Sequence, residues 1–203
     1  MGQLSFYSAD AHARALSDLE GVLCAPGRIS LFGRGGAARL AISVGSPPAD
    51  PEVPDPLATW RARALRCAFR ARGVDAGITH TPDGRPVVGS AFRADLVPLA
   101  TAWSDGGSKV LPPDLELDGP RLRLWVLAAG RLDGRAYVLG LDPQAPDTHE
   151  DLLRASRRAG LGADPGDDAA APTLRVTGVR RIRRLAELVG ARPPSAHDEV
   201  WPG

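Results

Sequence analysis

Lysine is almost missing from this chain of 203 residues. It has 25 basic residues, and all but Lys109 are arginine. Aromatic residues are scarce at 5%, so Ala, Val and Leu must fill most of any core. Cys24 and Cys67 are the only cysteines, and they lack the paired spacing of a zinc site or a disulfide framework, which fits a reducing, cytoplasmic setting. No apolar run reaches the roughly 18 residues that a membrane span requires. The N-terminus shows no basic stretch leading into an apolar one, so no secretion signal is expected. Excess charge is also lacking. The formal net charge is +1 and the pI is 7.9, whereas nucleic-acid-binding domains usually lie above a pI of about 9. Any nucleic-acid contact must therefore come from a local patch.

Several chemistries have no sequence support. The Gly-rich stretch at 33–37 lacks the Lys-Ser/Thr that a phosphate-binding loop needs. There is no Ser-His-Asp pattern. His12, His80, His149 and His197 are scattered, with no Cys or acid at metal spacing. No cofactor and no metal are expected.

What is abundant is punctuation, with 23 Gly and 19 Pro. Between these breaks the hydrophobic spacing predicts a helix over 8–24, closed by Pro26 and Gly27. Two alternating strands follow over 28–32 and 38–44. Ile29, Leu31, Leu40, Ile42 and Val44 share one face; Arg28, Ser30, Phe32, Arg39 and Ser43 share the other. A Pro/acid loop (45–56), an amphipathic helix (57–73), a hairpin around Pro82-Asp-Gly-Arg85 and a helix over 92–103 complete a first round, with Pro98 awkward in that last helix. A second round starts near Gly119: helix 120–130, strand 135–141, helix 146–161, a loop over 162–172, strand 173–178 and helix 180–190. The expected fold class is mixed α/β (α+β), two pseudo-symmetric αββαββα-like repeats over 1–115 and 116–203 with antiparallel sheets. The second is read as shortened, with strands lost or eroded.

Residues 19–27, LEGVLCAPG, and 122–130, LRLWVLAAG, carry a resemblance to the LAGLIDADG homing-endonuclease family in its single-chain, two-repeat form. Leu19, Gly21, Val22, Leu23 and Gly27 match the first signature or change it conservatively, and Trp125 and Gly130 match the second. The two closing glycines are 103 residues apart, which suits one repeat. Residues 103–115, WSDGGSKVLPPDL, resemble the segment that precedes the second repeat, with Lys109 at its lysine. The resemblance implies two signature helices side by side, their backbones brought close by small residues such as Gly21, Ala25, Ala128 and Ala129. It also implies an acid before each final glycine that holds a metal ion at the DNA. The sequence departs there: Pro26 and Ala129 stand at those positions, and Cys24 and Ala128 at neighbours that are often acidic. Neither a Pro nor an Ala side chain can ligate a hard cation. Val200 stands where a second lysine would be expected.

The expected function is double-stranded DNA binding without cleavage, in a regulatory role; in plan it is similar to WhiA-type bacterial regulators, without their helix-turn-helix. The candidate contacts are Arg28, Ser30, Arg34 and Arg39 on a β-ribbon face, Lys109, and the run Arg180, Arg181, Arg183 and Arg184. For each a plain solvated surface is the open alternative. Two further readings stay open: a protein-interaction scaffold with a protein partner and no DNA binding, and a working nuclease with relocated acids, for which Asp133 and Asp142 are candidates. The chain is expected to be a monomer with an internal pseudo-two-fold and no membrane association.

Overall fold

The computed structural model describes residues 7–46 and 53–203. The Pro/acid loop expected over 45–56 falls partly on 47–52, outside the described residues. The first repeat runs α1 (Glu20–Cys24), β1 (Gly27–Phe32), β2 (Ala37–Ser43), α2 (Pro56–Arg70), β3 (Ala76–His80), β4 (Pro86–Ser90) and α3 (Val97–Ala102). A small hairpin, β5 (Ser104–Asp105) and β6 (Ser108–Lys109), leads on. The second repeat runs α4 (Gly119–Ala129), β7 (Gly130–Asp133), β8 (Ala136–Gly140), α5 (His149–Arg158), β9 (Asp164–Pro165), β10 (Thr173–Thr177) and α6 (Val179–Val189). Both four-stranded sheets are antiparallel and share one topology, β1-β2-β4-β3 and β7-β8-β10-β9.

Local chemistry explains the helix ends. Asp55 caps α2 by accepting from the Leu57 N–H at 2.9 Å, and Pro56 opens the helix where no N–H is needed. Asp118 caps α4 in the same way through the Arg121 N–H, again followed by a first-turn proline. Pro98 sits in the first turn of α3, so it costs no hydrogen bond.

The helix expected over 8–24 is broken in two. A 3-10 turn covers Ala9–Ala11, and a second, Leu16–Leu19, runs into α1. Between them Ala15 is extended. Its N–H donates to the Asp18 carboxylate, which also receives Arg72 Nε at 2.8 Å in a buried ion pair. A tertiary contact thus sets the start of the signature helix. The helix expected over 92–103 shortens similarly, because Arg93 pairs with Ala38 as an extra bridge on the first sheet.

The second repeat has lost no strand. Residues 130–133 form β7, paired with β8 from Gly130↔Leu139 to Asp133↔Ala136. The segment is too short to show alternation, and its Leu-Asp-Gly-Arg end reads as turn alone. β9 is the eroded one: two residues, including a proline, on the sheet edge.

The core lies between the sheets and the helices, centred on α1 and α4. Leu19, Val22, Leu23, Leu122, Trp125 and Val126 are fully buried there, each large aliphatic among them contributing about 1.5–3 kcal/mol. The two helices approach backbone to backbone: a Cβ on Gly21 would lie 2.0 Å from the Arg121 carbonyl oxygen and 3.0 Å from Leu124 Cβ. Among the described residues, no helix is long and apolar enough to cross a membrane.

Gly21→Val should therefore force the central helices apart and lower stability by about 3 kcal/mol or more, the upper end of overpacking costs, whereas Ala25→Ser, a small-for-small change beside it, should cost less. Urea unfolding followed by tryptophan fluorescence measures the difference.

Candidate nucleic-acid interface

The signature segments end side by side, and each leads straight into a strand, β1 or β7. Gly27 and Gly130 stand at these exits. A side chain on either would collide with the preceding helical turn, with Val22 O at 2.3 Å and Val126 O at 2.8 Å. Ala25 and Ala128 are both buried at the seam, and Pro26 and Ala129 are half-buried at the tips. Cys24 is fully buried, and burial pushes its thiol up, away from thiolate chemistry.

Lys109 points into this junction. Its Nζ lies 2.8 Å from the Ala25 carbonyl, 3.0 Å from the Gly27 carbonyl and 3.2 Å from Asp142 Oδ2. Three acceptors take the three N–H bonds of an ammonium. The side chains of Lys109 and Asp142 are 13% and 5% exposed. Burial lowers the Lys109 pKa, with the Asp142 charge opposing that shift. Asp142 is itself held: Oδ1 accepts from the Gln144 N–H at 3.0 Å, and its carbonyl meets His149 Nε2 at 2.8 Å. The Arg28 guanidinium donates to Gln144 Oε1. Lys109, Asp142, Gln144 and Arg28 line a cleft of about 320 Å³ that also takes in Ser30, Ser104 and Asp147.

The other tip has its own cation, one that no sequence signal marks. Arg61 of α2 is buried and donates to the carbonyls of Val126 (3.2 Å), Leu127 (2.8 Å) and Gly130. These oxygens end α4, where the helix dipole favours positive charge. Burial lowers the pKa of this arginine, and it has no carboxylate among its hydrogen-bond partners here. In sequence it is one arginine among several on an amphipathic helix, with nothing to separate it from Arg63 or Arg66.

The strands point polar rows away from the helices. In the first sheet Arg28 pairs with Ala41, Ser30 with Arg39 and Phe32 with Ala37, and Ala41 continues to Gly89 and Gly77. Small residues leave a flat floor on which the Arg39 guanidinium lies, 3.0 Å from where a Gly89 Cβ would be. At the outer end Phe32 and Phe92 meet at 4.8 Å between ring centres, both exposed. Arg34 is exposed in the β1–β2 turn. In the second sheet the matching row is Arg131, Val138 and Arg175, with Asp164 at its edge. Arg131 stands directly after Gly130 as Arg28 does after Gly27, and Arg175 is paired with Asp133. Arg131 and Arg175 are further candidates: Arg131 lies on β7, which the sequence does not mark as a strand, and Arg175 lies on the expected strand over 173–178, where nothing in the sequence singles it out.

The structure brings Arg28, Ser30 and Arg39 onto one face with Arg34 at its end, and it places Lys109 below them. It does not bring the α6 arginines to that face. α6 packs on α4, on the helix-covered side; Arg181 donates to the Gly162 carbonyl at 3.1 Å, and Arg184 lies 5.4 Å above the Tyr7 ring. Arg180 and Arg183 are exposed along the same helix.

The tips do not suit the divalent ions that the family resemblance implies. Neither Pro26 nor Ala129 offers a side-chain oxygen, and the nearby Asp142 carboxylate is engaged by Lys109. Among the described residues, no group of three or more His, Cys, Asp or Glu is arranged to hold a metal. Arg61→Leu should strand three helix-end carbonyls and cost about 2–4 kcal/mol, with Arg61→Lys recovering part of it; thermal unfolding of the two variants checks this.

No family model matches the chain, and no curated protein matches its sequence. Solved structures do match. One is the homing endonuclease I-WcaI bound to its DNA recognition sequence, at TM-score 0.59 and 12% identity, covering 93% of this chain and 89% of that one. A second is the N-terminal LAGLIDADG domain of DUF199/WhiA, at TM-score 0.51 and 12% identity, covering 88% and 82%. A third is full-length DUF199/WhiA from Thermatoga maritima, at TM-score 0.55 and 14% identity, covering 87% of this chain and 55% of that one. Two αββαββα repeats with matching sheets, joined along paired signature helices, give this chain a LAGLIDADG-like fold.

Proposed function

We propose that this protein binds double-stranded DNA across the outer faces of its two sheets and does not cleave it. The observation that carries this reading is the pair of arginines, Arg28 and Arg131, one directly after each signature glycine and both exposed on the outer rows. Arg39 extends the first row. Arginine suits both jobs such a face has: phosphate neutralisation, and bidentate contact with guanine in the major groove. A DNA-bound homing endonuclease among the similar structures supports the choice of partner. A near-neutral chain can still bind through so local a patch, since the term that matters is the number of phosphates neutralised.

The absence of side-chain oxygens at Pro26 and Ala129 supports the non-cleaving part. In-line phosphodiester hydrolysis draws on cations to generate the nucleophile and stabilise the leaving oxygen. Lys109 is committed to internal oxygens, so its part here is to hold the tips rather than to touch phosphate. We extend the proposal to a regulatory role, since a protein that stays on intact DNA can block or recruit other factors there.

A second reading rests on the opposite side of the molecule. A groove of about 1020 Å³ between α2, α4 and the C-terminal tail is lined by Trp60, Cys67, Leu124, Leu127, Pro193 and Pro194. Arg63, Arg123 and Arg192 line it too, so it is a mixed apolar and charged seat for a protein partner, which is the scaffold reading.

Fluorescence anisotropy with a random 30-bp duplex separates these. Four phosphate contacts would weaken binding roughly 100-fold between about 50 and 200 mM salt. Arg28→Ala, Arg39→Ala and Arg131→Ala should each flatten the salt slope by about 1 where they meet phosphate; Arg183→Ala should leave it unchanged. No duplex affinity at the lower salt would remove the DNA reading and leave the scaffold one. Incubating a supercoiled plasmid library with Mg²⁺ or Mn²⁺ should give no nicking. Nicking abolished by chelator and by Asp142→Asn would instead revive a nuclease with relocated acids.

A further inference from the structure

The Lys109 ammonium is surrounded as a bound ion would be. Its three oxygen neighbours come from both repeats, Ala25 O and Gly27 O from the end of the first signature and Asp142 Oδ2 from the loop after β8. None of the three is free to drift. The carbonyls are set by the turn between α1 and β1, and the carboxylate by the Gln144 N–H. We propose that this is a monovalent-cation site whose ion is the chain's own lysine, tethered where the two repeats meet, and that without the lysine the same oxygens take K⁺ or NH₄⁺ in preference to Mg²⁺.

Three properties of the cage argue for that selectivity. The distances of 2.8, 3.0 and 3.2 Å are those of N–H···O contacts to an ammonium, well beyond the roughly 2.0–2.1 Å that Mg²⁺ demands. Drawing rigid backbone oxygens inward by that much would break the tip geometry. The cage holds one negative charge, that of Asp142, which balances a monovalent ion and leaves a divalent one under-neutralised. Finally, the adjoining cleft of about 320 Å³ has room for the waters that complete a larger ion's shell.

The consequence is a junction that needs no dissolved metal. Where the resemblance implies divalent ions at the signature tips, this chain supplies a covalently attached charge at the first tip. The inference rests on the cage alone and stands whether or not the protein binds DNA.

Because the chain has a single lysine, ¹⁵N-lysine labelling gives one reporter. In the wild type its Nζ–H correlation should be visible at neutral pH, since all three protons are bonded internally, and it should not move when MgCl₂ or a chelator is added. A water-averaged signal, or one displaced by Mg²⁺, overturns the proposal. In Lys109→Ala the Tm should fall by roughly 4–10 °C. KCl or NH₄Cl should then restore most of the loss relative to tetramethylammonium chloride at equal ionic strength, and MgCl₂ should not. The pair Lys109→Ala, Asp142→Asn should show no such ion response. Equal Tm values for the single variant in all four salts also overturn it. If that variant does not fold in any of them, the ¹⁵N experiment decides alone.

Discussion

The two repeats of the described fold meet through a contact with no side chain on one side of it. Gly21 presses against the Arg121 carbonyl and the base of Leu124. Counting by the 103-residue offset between the signature glycines, Leu124 is the pseudo-symmetric mate of Gly21. One helix provides the hole and the other the filling. The central seam is therefore locally asymmetric, although the folds on either side follow the same plan. Once these helices are seated, β1 and β7 leave their ends in fixed directions, and the outer rows of both sheets are set.

At both helix ends positive charge is supplied from within the chain, by different means. The first end receives a lysine from the small hairpin and shares it with an aspartate of the other repeat. The second receives a buried arginine from α2, which meets carbonyls only. An arginine fork can span three helix-end oxygens; a lysine ammonium concentrates its charge at one point. The lone lysine in an arginine-rich chain thus stands at a place where geometry calls for a compact ion. Composition alone could flag that residue as unusual but could not say which oxygens it served.

Much of the fold was legible in the sequence because its signals are local. The apolar spacing of Val22 and Leu23, the alternation of β1 and β2, and the Pro and Gly stops marked most elements, and the resemblance over 103–130 tied them into an architecture. What was not legible depends on distant partners. Asp18 reads as an ordinary helical residue until Arg72 pulls it into service as a cap. β7 is four residues long and becomes a strand only by pairing with β8. For the candidate surface, alternation placed Arg28, Ser30 and Arg39 together, whereas Arg131 needed β7, and Arg175, on an expected strand, gains its place only from the pairing of β8 with both neighbours. The basic run from Arg180 to Arg184 is the densest charge in the sequence, yet its helix packs against α4, away from the sheet faces. Charge density in one dimension did not report which side of the molecule it would occupy.

The two outer faces are built to one plan and furnished differently. The first ends in the exposed Phe32–Phe92 pair with Arg39 lying over a glycine floor. The second has Ala136 at the position of Arg39, a buried Val138 and an arginine tied to Asp133. A rod-like partner laid across both would meet aromatic rings at one end and an internal ion pair at the other. Turning it end for end would not reproduce the fit, so the chain has a built-in polarity that an assembly of two identical subunits cannot have.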